Sequence, residues 1–121
     1  MAITSNKETF SKDRILTYYG NEFFIIPTTN IAFIYIENSI IYVINSDGKK
    51  SISNESLNTI FLKLNRHQFF RINRQIIINI SAISKIIKMG LILKVQTSPS
   101  CQSPIFVRKN KIASFKNWIN G

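Results

Sequence analysis

The chain has 121 residues, of which 45% are hydrophobic, 12% aromatic and 18% charged, and its formal net charge at pH 7 is +10. This length fits one domain, and this composition excludes an intrinsically disordered chain and, because the apolar runs are only a few residues long, a membrane-spanning helix. Cys101 is the single cysteine, which excludes an internal disulfide and a cysteine-based zinc site, and we expect a cytoplasmic protein.

The first twenty residues are polar up to Ile15 and end at Gly20. Such a segment predicts a linker or flexible arm over residues 1–20 and one domain over residues 21–121. Within that domain, short runs rich in β-branched and aromatic residues predict strands. In chain order these runs are residues 23–26, 31–36, 40–44, 49–52, 69–72, 75–80, 85–88, 91–95 and 105–107. The Asp47-Gly48 pair predicts an exposed hairpin turn between the third and fourth of them.

Two segments instead show helical spacing. Apolar residues recur every three or four positions over residues 54–64, where Ser53 or Asn54 could cap the helix, and again over residues 112–119. Strands joined by short links pair most simply as antiparallel neighbours. The predicted fold class is therefore mainly β, with antiparallel sheets and two short helices, and a parallel Rossmann-type sheet is excluded.

Groups suited to catalysis are few and scattered. His67 is the single histidine and lies in a polar connection, and the six carboxylates show no spacing that would hold a metal or share a proton. The four glycines are too sparse for a loop that cradles phosphate. We therefore expect no enzymatic activity, no metal site and no cofactor.

The positive charge is concentrated in the second half of the chain. Residues 1–60 carry all six acidic residues against five basic ones, whereas residues 61–121 carry eleven Lys or Arg and no Asp or Glu. Cations without neighbouring carboxylates attract phosphates in a salt-dependent manner. This distribution favours a polyanionic partner, although a solubilising basic surface or an anionic membrane surface would produce it as well.

Several of these cations stand among side-chain amides. Cations bind phosphates and amides can address base edges, so the mixture suits DNA, although ordinary polar faces of strands and a helix start also explain it. The residues are Arg71, Arg74, Arg108, Lys109 and Lys111, with the amides of Asn73, Gln75 and Asn110.

Five segments, taken in order, resemble the LytTR family of bacterial transcription regulators. They are residues 30–37 (NIAFIYIE), 46–49 (SDGK), 53–64 (SNESLNTIFLKL), 69–80 (FFRINRQIIINI) and 105–109 (IFVRK). The fourth is the most diagnostic. Its Arg71, Arg74 and Asn79 match the family pattern, whereas Asn73 replaces the usual histidine and Gln75 the usual serine.

The resemblance implies an elongated arrangement of antiparallel sheets that contacts duplex DNA through loops rather than through a recognition helix. Carried over position by position, base contacts fall near Ile41, on Arg74 and on Arg108. Ile41 has no polar group, so its contact would be lost or would pass to Asn38 or Ser39. Phosphate contacts fall on Gln75 and Lys111, and the adjacent Asn73 and Lys109 complete the predicted DNA-binding set.

Of these residues we expect Arg108 to read bases, because it lies between a strand end and a helix start, where a rigid backbone can aim its planar guanidinium. We expect Lys111, one turn into that helix, to face phosphate. The predicted function is sequence-specific binding of double-stranded DNA by a transcription regulator, with copies of the protein paired as a homodimer on neighbouring half-sites.

Relatives usually carry a receiver domain ahead of this one. The chain is therefore either an excised domain or a stand-alone regulator controlled by a partner, and the sequence leaves both open. The alternative function is a β-rich protein-interaction module that uses its basic surface to bind an acidic protein partner, which requires no donors aimed at base edges.

Overall fold

A computed structural model describes residues 11–121 of the protein, so the first ten residues of the predicted arm lie outside the described range. In this range the chain forms ten strands, two α-helices and three 3-10 turns. The strands are β1 Arg14–Tyr19, β2 Glu22–Pro27, β3 Ile31–Glu37, β4 Ile40–Asn45, β5 Lys50–Ser53, β6 Phe69–Asn73, β7 Ile76–Asn79, β8 Ile83–Met89, β9 Ile92–Thr97 and β10 Ile105–Val107. The helices are α1 Leu57–Lys63 and α2 Ile112–Asn120, and the 3-10 turns are Thr28–Asn30, Ile80–Ala82 and Lys109–Lys111.

The strands form two antiparallel sheets. One sheet has seven strands in the order β2-β1-β5-β4-β3-β7-β6, and the other has three in the order β10-β9-β8. The predicted fold class, mainly β with antiparallel sheets and two short helices, is confirmed. In the described residues, no helix is both long enough and apolar enough to cross a membrane.

Strand β1 corrects the prediction of a linker or arm over residues 1–20. It pairs with β2 along its whole length, from Arg14 opposite Pro27 to Tyr19 opposite Glu22. Only its alternate side chains, Ile15 and Thr17, are buried. The run RILTYY is itself rich in β-branched and aromatic residues, and the prediction of an arm follows from the polar residues before it and from Gly20 after it.

Helix α1 is shorter than the predicted segment of residues 54–64. Its cap is Ser56, whose Oγ accepts a hydrogen bond from the Thr59 N–H at 3.1 Å. Ser53, one of the two predicted caps, is the last residue of β5, and its hydroxyl accepts from the Glu55 N–H at 3.1 Å instead. The helix therefore begins three residues later than the periodicity predicts.

Two clusters of buried side chains lie on opposite faces of the seven-stranded sheet. One packs α1, through Leu57 and Ile60, against the central strands. The other fills the space between the two sheets and α2, whose Phe115 is completely buried. Phe115 and Trp118 both contact Phe70 of β6, at ring-centroid distances of 5.6 and 5.1 Å. These aromatic contacts hold α2 beside β6.

Asn79 connects three segments inside the fold. Its side chain is completely buried, Nδ2 donates to the carbonyl of Ile31 at 2.7 Å, and Oδ1 accepts from the N–H of Ser81 at 3.0 Å. A buried amide with both ends bonded is a structural element, because it supplies partners to backbone groups that water cannot reach. This residue of the family motif thus stabilises the fold from inside.

Candidate nucleic-acid interface

Three elements that are distant in sequence meet around one cleft of about 850 Å³. They are the turn between β6 and β7, the segment from the end of β10 to the start of α2, and the first turn of α1. Four cations and no carboxylate lie in its lining, and we call it the basic cleft. Its lining residues are Asn58, Arg71, Ile72, Asn73, Arg74, Phe106, Arg108, Asn110 and Lys111.

The β6–β7 turn presents Arg74 at its tip. The Asn73 side-chain oxygen accepts a hydrogen bond from the Gln75 N–H at 2.7 Å, and the Gln75 carbonyl accepts from the Ile36 N–H of β3 at 3.0 Å. The register of β6 on β7 shifts between Arg71 and Asn73. All three residues of the turn are exposed. The turn thus projects the Arg74 guanidinium outward while the Asn73 amide N–H₂ stays available for a ligand.

Arg71 lies behind this turn, and its guanidinium is engaged by the protein itself. Nε donates to the carbonyl of Asn73 at 3.2 Å, one terminal nitrogen donates to the carbonyl of Arg74 at 2.8 Å, and the other contacts the side-chain oxygen of Asn58. Partial burial lowers the pKa of Arg71 from its usual range, but arginine stays charged at neutral pH. Sequence reasoning had grouped Arg71 with the phosphate-seeking cations.

Arg108 joins β10 to the 3-10 turn that precedes α2. Its backbone is extended, with φ −76° and ψ 161°, and its carbonyl accepts a hydrogen bond from the Lys111 N–H at 2.8 Å. The side chain is exposed. The salt bridges among residues 11–121 are Arg14 with Asp13 and Lys63 with Glu55, so the Arg108 guanidinium is not neutralised by a carboxylate of the described chain.

Lys111 occupies the position just before α2 rather than one turn inside the helix, which corrects the prediction. The reason is that residues 109–111 form a separate 3-10 turn. Its ammonium lies 5.5 Å from the centre of the Phe70 ring, and the first turn of α2 contains no acidic residue. The positive end of a helix dipole and the cations of Arg108, Lys109 and Lys111 thus act at one place, an arrangement that attracts anions.

The residues predicted around the third strand have different positions. Asn38 and Ser39 form the β3–β4 turn with positive φ angles of 52° and 66°, and both are exposed. They lie at the same end of the sheet as the β6–β7 turn, because the backbone of β3 bonds to Gln75, but they are outside the lining of the basic cleft. The prediction of a DNA contact at these residues stays a prediction.

Ile41 does not face solvent. Its side chain is 7% exposed and packs in the core beside α1, so this side chain is not presented to a ligand at the surface. Adjacent residues of a strand point to opposite faces, so a position transferred from a relative changes face when it is displaced by one residue. Gln75 and Lys109 are exposed beside the basic cleft rather than in its lining.

Sequence reasoning missed Asn58 and Phe106, which also line the basic cleft. Asn58 lies in a short helix and Phe106 in a short strand, and neither stands next to a cation in the sequence. Only the packing of the two sheets and α1 brings them to the cleft. The described residues contain no cluster of His, Cys, Asp and Glu that could hold a metal ion.

The basic cleft and the fold can be compared with known proteins. The family model described as the LytTr DNA-binding domain matches residues 21–120. A solved structure of the LytTr DNA-binding domain of a Bacillus cereus protein superposes with a TM-score of 0.79 at 14% sequence identity, covering 92% of this chain and 100% of that one. No curated protein sequence matches significantly. Because the family model matches nearly the whole described chain, the protein belongs to the LytTR family of DNA-binding domains.

Proposed function

We propose that this protein is a transcription regulator that binds double-stranded DNA sequence-specifically through the turns around the basic cleft, and that it is not an enzyme. The observation that carries the proposal is the meeting of Arg74, Arg108 and Lys111 at one cleft without a carboxylate. They come from two turns separated by more than thirty residues of sequence, and the family is one of DNA-binding domains.

The two arginines suit base reading, and the neighbouring groups suit the DNA backbone. Arg74 lies at the tip of an exposed turn and Arg108 directly before another, and an arginine can donate two parallel hydrogen bonds to guanine, worth about 1–3 kcal/mol of discrimination. Gln75, Lys109 and Lys111 flank them and would hold phosphates, which fixes the register of the protein on the duplex. The free amide N–H₂ of Asn73 would donate to a base or to a phosphate.

The solved Bacillus cereus domain is described as part of a methyl-accepting or DNA response regulator. We place this protein in the same context, as the output module of a bacterial two-component system in the cytoplasm. A receiver domain or another regulatory partner would supply the input signal. Turns rather than a recognition helix would read the DNA, since Arg74 and Arg108 both lie in connections between secondary-structure elements.

Binding should be sequence-specific and strongly salt-dependent. A duplex selected from a randomised library by the full chain should bind about 10³-fold or more tighter than a scrambled duplex. Three or four phosphate contacts should give a slope of the logarithm of the binding constant against the logarithm of salt of about −3 to −4. Fluorescence anisotropy over a salt series measures both quantities. Equal affinity for the two duplexes at every salt concentration contradicts sequence specificity. The alternative function, a protein-interaction module, is favoured if the protein captures an acidic protein stoichiometrically from nuclease-treated extract and binds neither duplex.

An apolar surface outside the lining of the basic cleft supports pairing of two copies on DNA. Leu16, Phe23 and Ile25 are 61, 69 and 70% exposed on one face of the β1–β2 hairpin, where Leu16 lies opposite Ile25. Strand β2 ends the sheet at the edge opposite β6, and none of these three residues lines the basic cleft. Clustered apolar side chains beside an open sheet edge are typical of a protein contact, and the occupant we propose is a second copy on the adjacent half-site.

This pairing predicts cooperative binding that depends on the hairpin face. Replacing both Leu16 and Ile25 with serine should lower the cooperativity on a duplex with two half-sites and leave the affinity for one half-site unchanged. Analytical ultracentrifugation gives the stoichiometry, and titrations of the two duplexes give the cooperativity. Leu91, which is also 70% exposed but lies in the β8–β9 turn, provides the control substitution Leu91→Ser. Unchanged cooperativity in the double variant contradicts the pairing face.

A further inference from the structure

The β6–β7 turn has few contacts of its own to hold its shape. All three of its residues are exposed, and its internal bond is the one from the Gln75 N–H to the Asn73 side chain. The Arg74 side chain makes no hydrogen bond to the described chain, so the direction in which it points depends on the backbone beneath it. An exposed turn of this kind samples several conformations unless another group restrains it.

One side chain supplies that restraint. The Arg71 guanidinium donates to the carbonyls of Asn73 and Arg74, two consecutive peptide groups of the turn, and at the same time to the Asn58 side chain in α1. Each of its three nitrogens is engaged, and because the guanidinium is planar, these bonds fix its orientation as well as its position. The turn is thereby attached to a helix that packs in the core.

We propose that Arg71 is a positioning residue for DNA reading: it holds the β6–β7 turn against α1 so that Arg74 points into the basic cleft. The inference rests on the proposed function. A binding group must be held close to its productive geometry by surrounding residues. If the turn were unrestrained, it would have to become ordered on binding, and the entropy cost would lower the affinity of Arg74 for DNA. Arg71 itself stays directed toward the protein and does not contact phosphate.

A variant that keeps the positive charge distinguishes a positioning role of Arg71 from a phosphate contact. Arg71→Lys retains the positive charge but cannot form the three-way fork. We expect this variant to bind the selected duplex about tenfold more weakly, with the scrambled duplex and the salt slope unchanged. In an Arg74→Ala background Arg71→Lys should cause no further loss, because the residue it positions is gone. Additive losses, an equal loss on both duplexes or wild-type affinity on both would overturn the proposal.

A second variant and a measurement without DNA keep the test independent of folding and of the proposed function. Asn58→Ala changes no charge and should produce a smaller loss in the same direction. Amide hydrogen exchange at residues 73–75 should be faster in both variants, with exchange in the core strands unchanged. Arg66→Lys is the control, since Arg66 stacks on Phe61 away from the basic cleft. If wild type shows no preference for the selected duplex, the proposed function fails, whereas unchanged exchange in the turn overturns the role of Arg71 alone.

Discussion

Replacing Asn79 with leucine should lower the free energy of unfolding by about 1–3 kcal/mol, chiefly because the buried carbonyl of Ile31 loses its partner. The Ile31 carbonyl loses a donor at 2.7 Å and the Ser81 N–H loses an acceptor at 3.0 Å, while leucine keeps the branching of the side chain. Urea denaturation followed by circular dichroism measures the change. Ile31 and Asn79 are completely buried, so water cannot reach the Ile31 carbonyl without opening the core, whereas the N–H of the exposed Ser81 can turn to water.

The same substitution at an exposed asparagine controls for effects of the change that do not depend on burial. Asn117 is exposed on α2, and Asn117→Leu should alter the free energy of unfolding by less than about 0.5 kcal/mol. At low temperature, where the Asn79 variant is still folded, its affinity for DNA should remain near that of wild type because Asn79 is outside the basic cleft. A loss below about 1 kcal/mol would mean that the two hydrogen bonds contribute little to the fold.

The sequence predicted those elements whose signal is local. The last strand was predicted over residues 105–107 and is found there. The hairpin turn at Asp47-Gly48 is confirmed, with Gly48 at φ +88° and the Asp47 side chain accepting from the Lys49 N–H at 2.9 Å. Alternating apolar residues and a turn dipeptide report on a few neighbouring positions, so no knowledge of distant contacts was needed to find them.

Elements whose identity depends on distant partners were predicted less well. Strand β1 has only alternate buried side chains, and its pairing with β2 and β5 is what makes it a strand. The start of α1 depends on which of several serines caps it, and that choice follows from where β5 ends. In both cases the local sequence is compatible with two structures, and tertiary pairing selects one.

The candidate site divides in the same way. The family resemblance named Arg74 and Arg108, and the fold brings both to one cleft. The different tasks of Arg71, Arg74 and Asn79 were not separable in sequence, because all three belong to one matching motif. One restrains a turn, one is exposed and one is buried. Only the hydrogen-bond partners and burial of each side chain distinguish a motif residue that could contact DNA from one that maintains the fold.

Replacing Arg108 with alanine should weaken binding to the selected duplex by about 1–3 kcal/mol and leave the scrambled duplex nearly unchanged. The physical reason is that its exposed guanidinium stands on a backbone fixed by the Lys111 N–H and is not paired with a carboxylate of the described residues. An arginine held in this way contributes little binding free energy on the scrambled duplex, where no guanine lies opposite its two donors. Anisotropy titrations of both duplexes at one salt concentration measure the difference.

Lys111→Ala provides the contrast that makes the Arg108 result specific. A compact ammonium beside the start of α2 attracts phosphate irrespective of base sequence, so its loss should weaken both duplexes alike and flatten the salt slope by about one unit. If Arg108→Ala also weakens binding to both duplexes equally, Arg108 contacts the phosphate backbone of the DNA and does not read bases. Because the Arg108 side chain is exposed, its removal should leave the free energy of unfolding within about 0.5 kcal/mol of wild type. A lowered melting temperature in that variant would instead mean that Arg108 stabilises the junction between β10 and α2.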